Sequence, residues 1–157
     1  MTDSNQRQKY VVDLQGFYQA GGDYTLKELA FAPLVDVPVV ILFKSPFPSQ
    51  QLPISIKQEN KWLRKYYHGL RWTSAAVPYT MIGGILQAAL VDADRVFVNH
   101  LIKREWLNQF KIDACIIESD YRNERTVTVC ENHDAECNIE RALHNVKKMQ
   151  KFLNKSG

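Results

Sequence analysis

Apolar positions fall into short alternating or continuous runs in the first third of the chain and into helical spacing after it. Tyr10, Val11, Val12 and Leu14 form a short β-type run. Gly21-Gly22-Asp23 is a turn signal, and a second run follows from Tyr24 to Leu34. Strand periodicity puts Leu26, Glu28, Ala30 and Ala32 on one face of that run and Lys27, Leu29 and Phe31 on the other. Val37 to Phe43 is the most apolar stretch and predicts a strand buried on both faces. Pro46, Pro48 and Pro53 exclude regular structure between Lys44 and Ile54. Ser55 then predicts the N-cap of a helix from Ile56 to about His68, with Ile56, Glu59, Trp62, Leu63 and Tyr66 at helical spacing and Gly69 as its stop. Pro78 opens a second helix through Ala89, and Val96-Phe97-Val98 is a short buried strand. Lys103 to Phe110 is helical, Ile112 to Ile117 is a strand, and Asp120 to Thr128 is a polar loop. The last helix is predicted from about Asn138 to Lys155, with Ile139, Leu143, Val146, Met149 and Leu153 as its stripe.

Three strands joined by tight turns read as an antiparallel meander, and helices and strands alternate after it. The fold class is therefore α/β, a mixed sheet combining the meander with parallel strands and flanked by helices. This is the element order of a ribonuclease-H-like sheet, an order that unrelated α/β folds also share. The 157 residues suit one domain over 9–157 behind a polar tail at 1–8. With 45% hydrophobic and 24% charged residues the chain reads as globular. No run is apolar enough for a membrane span, and the first nine residues hold no secretory signal. The three cysteines then read as thiols or metal ligands in a reducing compartment, nuclear or cytoplasmic. A net charge of +3 permits a phosphate-bearing partner without pointing to one.

Two clusters carry candidate chemistry. Cys130, His133 and Cys137 form C-x2-H-x3-C just before the last helix, a spacing that suits tetrahedral zinc with a fourth ligand from elsewhere. Plain loop residues and a redox thiol are the competing readings. Cys115, within an apolar strand, reads as a buried hydrophobe. Lys61, Arg64, Lys65 and Arg71 interleave with Trp62, Tyr66, Tyr67 and Trp72, a pattern able to hold phosphates and stack the bases of single-stranded RNA. Trp62 and Tyr66 also sit at core spacing. Lys147, Lys148, Lys151 and Lys155 make a second basic patch, or a solubilising helix face.

Three segments in order resemble DnaQ-like (DEDD) exonucleases. Tyr10-Val11-Val12-Asp13-Leu14-Gln15-Gly16-Phe17 resembles the strand bearing their D-x-E. Val96-Phe97-Val98-Asn99-His100 followed by Trp106-Leu107 resembles their second motif, and Arg141-Ala142-Leu143-His144-Asn145-Val146 their last. The resemblance implies two divalent metals held by four carboxylates. Only Asp13 keeps one. Gln15 replaces the glutamate, the second aspartate falls at Lys103 or Arg104, and the third at Asn145 or His144. The chain also resembles the Maelstrom domain, a DnaQ-like fold of piRNA-pathway proteins stapled by a Glu-Cys-His-Cys zinc site. That likeness implies Glu28, Cys130, His133 and Cys137 as ligands of a structural zinc, although the gap from His133 to Cys137 is shorter here. Phe43-Lys44-Ser45-Pro46-Phe47, the block from Trp62 to Trp72 and Val77-Pro78-Tyr79 resemble segments of arthropod exonuclease-like proteins.

The resulting expectation is an exonuclease-like module without catalysis, with relic positions Asp13, Gln15, Lys103 and Asn145. It would contact protein partners and/or single-stranded RNA through Lys61, Arg64, Lys65, Tyr67, Arg71 and Trp72, in a small-RNA or transposon-related pathway. Two alternatives stand beside it. One is an active nuclease using Glu28, His133 and Cys130, or Glu118 and Asp120. The other is a homodimer with Trp72 and Tyr79 at its interface.

Overall fold

The computed structural model describes residues 8–18, 24–67, 70, 72, 75, 77–117 and 141–156. Five strands form one open sheet: β1 (Gln8–Tyr18), β2 (Tyr24–Pro33), β3 (Val39–Leu42), β4 (Ala93–Val98) and β5 (Ala114–Ile116). Among the described residues four α-helices flank it: α1 (Ile54–Trp62), α2 (Ile82–Ala89), α3 (Leu101–Asn108) and α4 (Arg141–Ser156). The strand order is β3-β2-β1-β4-β5. β1 pairs antiparallel with β2 and β2 antiparallel with β3, while β1–β4 and β4–β5 are parallel. The mixed α/β sheet expected from the element order is therefore present, in a ribonuclease-H-like arrangement. No helix among the described residues is long and apolar enough to cross a membrane.

The two sheet faces bury different sets. Tyr10, Val12 and Leu14 of β1 join Leu29, Val96 and Val98 beneath α2 and α3, with Leu86 and Leu107 packed on them. Val11, Ala30 and Ala32 face α4, which lays Ala142, Val146 and Met149 against them. Those α4 positions are four and three residues apart, the spacing of one helix face. The stripe is rotated from the expected one, because Ala142 rather than Leu143 enters the core. Phe17 continues the second face toward Leu52, Leu70 and Trp72.

A bulge between β1 and β2 overturns one expected face. Gln15 pairs with Glu28 but Gly16 pairs with Leu26, which leaves Lys27 unopposed. The extra residue shifts the alternation, so Leu26 joins the α2/α3 core while Glu28 stays under α4 with Ala30. Gly16 sits at the crossing, where an added Cβ would lie 2.0 Å from the Thr25 carbonyl oxygen. Lys27 is fully buried, and its ammonium donates to Phe43 O at 2.7 Å and Trp72 O at 3.0 Å. Burial lowers its pKa from 10.5 to about 8.

That shift sets a pH dependence. Below about pH 8 both folded and unfolded chains hold the Lys27 proton, and the burial penalty is in force. Between about 8 and 10.5 only the unfolded chain keeps it, so stability rises with pH. Relative to Lys27→Met, the wild type should gain roughly 3 kcal/mol between pH 7 and 10.5 in urea melts. A constant difference would mean that Lys27 stays charged throughout.

Several elements depart from the sequence pattern. The apolar run through β3 is an edge strand, not a strand buried on both faces: Val39 is exposed and Val40 to Leu42 are half-buried. Pro38 has no N–H to give a further strand, which suits an edge. Beyond β3 only the Phe43–Val77 bridge follows among the described residues. α1 begins at Ile54 behind Pro53, not at Ser55, and Leu63–Tyr67 widens into a π turn. Trp62, placed in the core by its spacing, is 55% exposed, and Asn60 is the buried residue of α1. Gln8, assigned to the tail, opens β1.

α4 also grips the β2–β3 turn. Gln150 Nε2 donates to the carbonyls of Pro33 and Asp36, both at 2.7 Å, and Asn154 Nδ2 donates to Leu34 O at 2.8 Å.

Candidate functional site

Asp13 and Gln15 lie two residues apart on β1, so both point to the α4 face. Asn145 occupies the same α4 face as Ala142 and Val146, one turn from the helix start. α3 begins behind His100, whose Nδ1 accepts the Ile102 N–H at 3.2 Å, and its third residue is Lys103. These elements bring Asp13, Gln15, Lys103 and Asn145 together. Asp13, with no exposure, accepts on Oδ2 from Gln15 Nε2 and Asn145 Nδ2, both at 2.8 Å. Its Oδ1 accepts from the Lys103 ammonium. Lys103 reaches further to Asn99 Oδ1 at 2.8 Å. Asn145, not His144, is thus the α4 residue at the carboxylate, and Lys103, not the exposed Arg104, is the α3 residue.

One negative carboxylate, one ammonium and two amides make a neutral, mutually hydrogen-bonded cluster. A buried carboxylate needs such partners, because an uncompensated charge in the interior is costly. The same partners occupy the oxygens that the two-metal chemistry implied by the resemblance would use. Paired magnesium ions need several oxygen anions converging on them. Here the only carboxylate of the cluster is engaged on both oxygens, and one partner is itself a cation within bonding distance. Among the described residues no three His, Cys, Asp or Glu side chains come together. Asp13 sits mid-strand and accepts hydrogen bonds from three other side chains.

Glu28 lies opposite Gln15 on the neighbouring strand and is fully buried. Its Oε1 accepts the Ala142 N–H at 3.2 Å, so it meets the free amides at the start of α4. Cys130, His133 and Cys137 lie outside the described residues, as do Glu118 and Asp120. Of the four expected zinc ligands only Glu28 is described, and it stands at the helix that the other three precede in the chain.

The basic–aromatic set separates in space. Lys61, Arg64 and Lys65 are exposed on α1 and the π turn, beside the exposed Trp62. Tyr67 ends that turn, and Arg71 lies outside the described residues. Trp72 is corrected to a core residue. It is 9% exposed, its ring packs between Phe17 and Phe47 at centroid distances of 5.6 and 5.5 Å, and its indole N–H donates to Phe47 O. Little of its ring is left exposed. Trp62, by contrast, is 55% exposed.

Sequence reasoning missed Asn99 as the second acceptor for Lys103, and it missed Lys27. A lysine inside the apolar run from Tyr24 to Leu34 was the visible signal for the latter.

The strand order gives the fold class, a mixed α/β sheet in a ribonuclease-H-like arrangement. Comparisons with family models, with curated proteins and with solved structures return no match.

Proposed function

We propose that this chain is a catalytically silent ribonuclease-H-like binding module, a degenerate relative of DnaQ-like exonucleases with Maelstrom-type character. The supporting observation is the closed Asp13 cluster, in which Lys103 is in contact with the only carboxylate. Its partners are single-stranded RNA, proteins, or both, in a nuclear or cytoplasmic small-RNA or transposon-related pathway. The RNA surface is the exposed Trp62 with Lys61, Arg64 and Lys65: the cations hold phosphates and the indole stacks a base. A structural zinc, held by Glu28, Cys130, His133 and Cys137, would pin the start of α4 to β2, a role that the buried position of Glu28 favours.

Labelled single-stranded RNA tests the reading. The purified chain should leave it uncut with magnesium or manganese, as it does with chelator, and should retain it on a filter. Trp62→Ala should weaken retention about tenfold, the loss expected for one stacked base. The same preparation should carry zinc, absent from Cys130→Ser. Metal-dependent cleavage that disappears in Asp13→Asn would overturn the proposal in favour of an active nuclease.

A further inference from the structure

The side chains around Asp13 hold the parts of a reaction as well as those of an ion pair. The Lys103 ammonium lies against Asp13 Oδ1, which is bonded to the carboxyl carbon Cγ. Gln15 Nε2 and Asn145 Nδ2 both donate to the other oxygen, Oδ2, each at 2.8 Å. Two N–H groups converging on one oxygen stabilise the negative charge that forms there when a nucleophile adds to its carbon. Asn99 Oδ1 accepts a further hydrogen from Lys103 at 2.8 Å, so the nitrogen is held from two sides beside its target. The Asp13 side chain is fully buried and that of Lys103 is 15% exposed, so little water competes for either group.

Burial also gives the pair a reason to react. Keeping two opposite charges out of water carries a desolvation cost that their attraction only partly offsets. One proton passed from Nζ to Oδ1 along their contact leaves an amine and a carboxylic acid, the neutral forms that burial favours. A neutral lysine amine is a nucleophile, and the acid carbon beside it is already polarised through Oδ2.

We propose that Lys103 and Asp13 join in an intramolecular isopeptide bond. The chain folds with the ion pair, and the bond forms from it slowly, once per chain. Nζ adds to Cγ, the Cγ–Oδ1 bond breaks, and Oδ1 leaves as one water carrying two of the three ammonium hydrogens. The third hydrogen stays on the new amide nitrogen, and no oxidant, reductant or co-reactant enters. The product keeps the contacts that surround the pair. Oδ2 becomes the amide carbonyl oxygen and still accepts from Gln15 and Asn145, and the remaining N–H still has Asn99 Oδ1 to donate to. The two buried charges disappear together. The bond ties β1 to α3 across 90 residues, which restricts the unfolded chain. This reaction goes beyond the proposed function and is independent of whether the chain binds RNA or zinc.

Intact-mass spectrometry of the purified full chain, sampled over days at neutral pH, tests the proposal. A species one water lighter than the sequence should accumulate. Trypsin should release from it a branched peptide that joins the segment holding Asp13 to the segment holding Lys103, uncut after Lys103. Lys103→Arg keeps the positive charge without a nucleophilic amine, and it should hold its sequence mass throughout. Wild-type chain kept unfolded in urea should hold its mass as well, because the two groups are then no longer placed together. A folded wild-type chain that never departs from its sequence mass would overturn the proposal. So would a water loss without the branched peptide, as ring closure at an aspartate alone produces, or an equal water loss in Lys103→Arg.

Discussion

Lys103→Met should destabilise the fold by about 3–5 kcal/mol, the cost of stranding a buried carboxylate without its cation. Methionine preserves most of the stem volume, so the loss reports the ammonium and not a cavity. That is a large fraction of the 5–15 kcal/mol that holds a typical domain together. Urea melts read it directly, as a lower midpoint with an unchanged slope. Asp13→Asn supplies the other corner of a double-mutant cycle. Once Asp13 is neutral, removing the ammonium should cost less, so the double variant should be more stable than the sum of the single losses by 1 kcal/mol or more. If Lys103→Met melts with the wild type, the ammonium does not neutralise Asp13 and the closed-cluster reading fails.

Gly16→Ala should have the second large effect. The new methyl would stand 2.0 Å from the Thr25 carbonyl oxygen and 3.0 Å from its carbon, both main-chain atoms of the paired strand. A side chain in the way could rotate, but a backbone carbonyl moves only if the β1–β2 ladder opens at its bulge. Overpacking of this kind costs about 3 kcal/mol or more. Loss of the folded signal, or a matching drop in urea midpoint, checks it. Gly84→Ala should be neutral or slightly stabilising, because its Cβ enters open space and alanine favours the helix.

The element order was legible because it rests on local pattern: apolar runs, turn glycines and helical spacing name most strands and helices within a few residues. Asp13, Gln15, Lys103 and Asn145 were singled out by the resemblance to DnaQ-like exonucleases and not by periodicity: the helical stripe expected for α4 runs through Leu143, Val146 and Met149 and passes Asn145 by. What local pattern lacks is position in three dimensions. The run at Val37 to Phe43 looks like a central strand, yet it lies at the edge, where only chain topology decides burial. Trp62 is exposed and Trp72 buried, while α1 buries Asn60 and runs into a π turn, and no spacing rule announces any of these. The bulge at Lys27 is a one-residue slip, and it sends Leu26 to the opposite face from the one its neighbours predict. The convergence of Lys103 on Asp13 joins residues 90 apart, so composition shows the two charges but not their meeting.

The grip of α4 on the rest of the molecule has a consequence for biosynthesis. Its contacts with Asp13, Glu28 and the β2–β3 turn span 114 to 132 residues. While the ribosome is still making the middle of the chain, β1 and β2 exist with an uncovered apolar face and a half-solvated Asp13. The α4 layer over Val11, Ala30 and Ala32 therefore forms only after Met149 has left the exit tunnel, and until then those residues lack that cover and are exposed to chaperones.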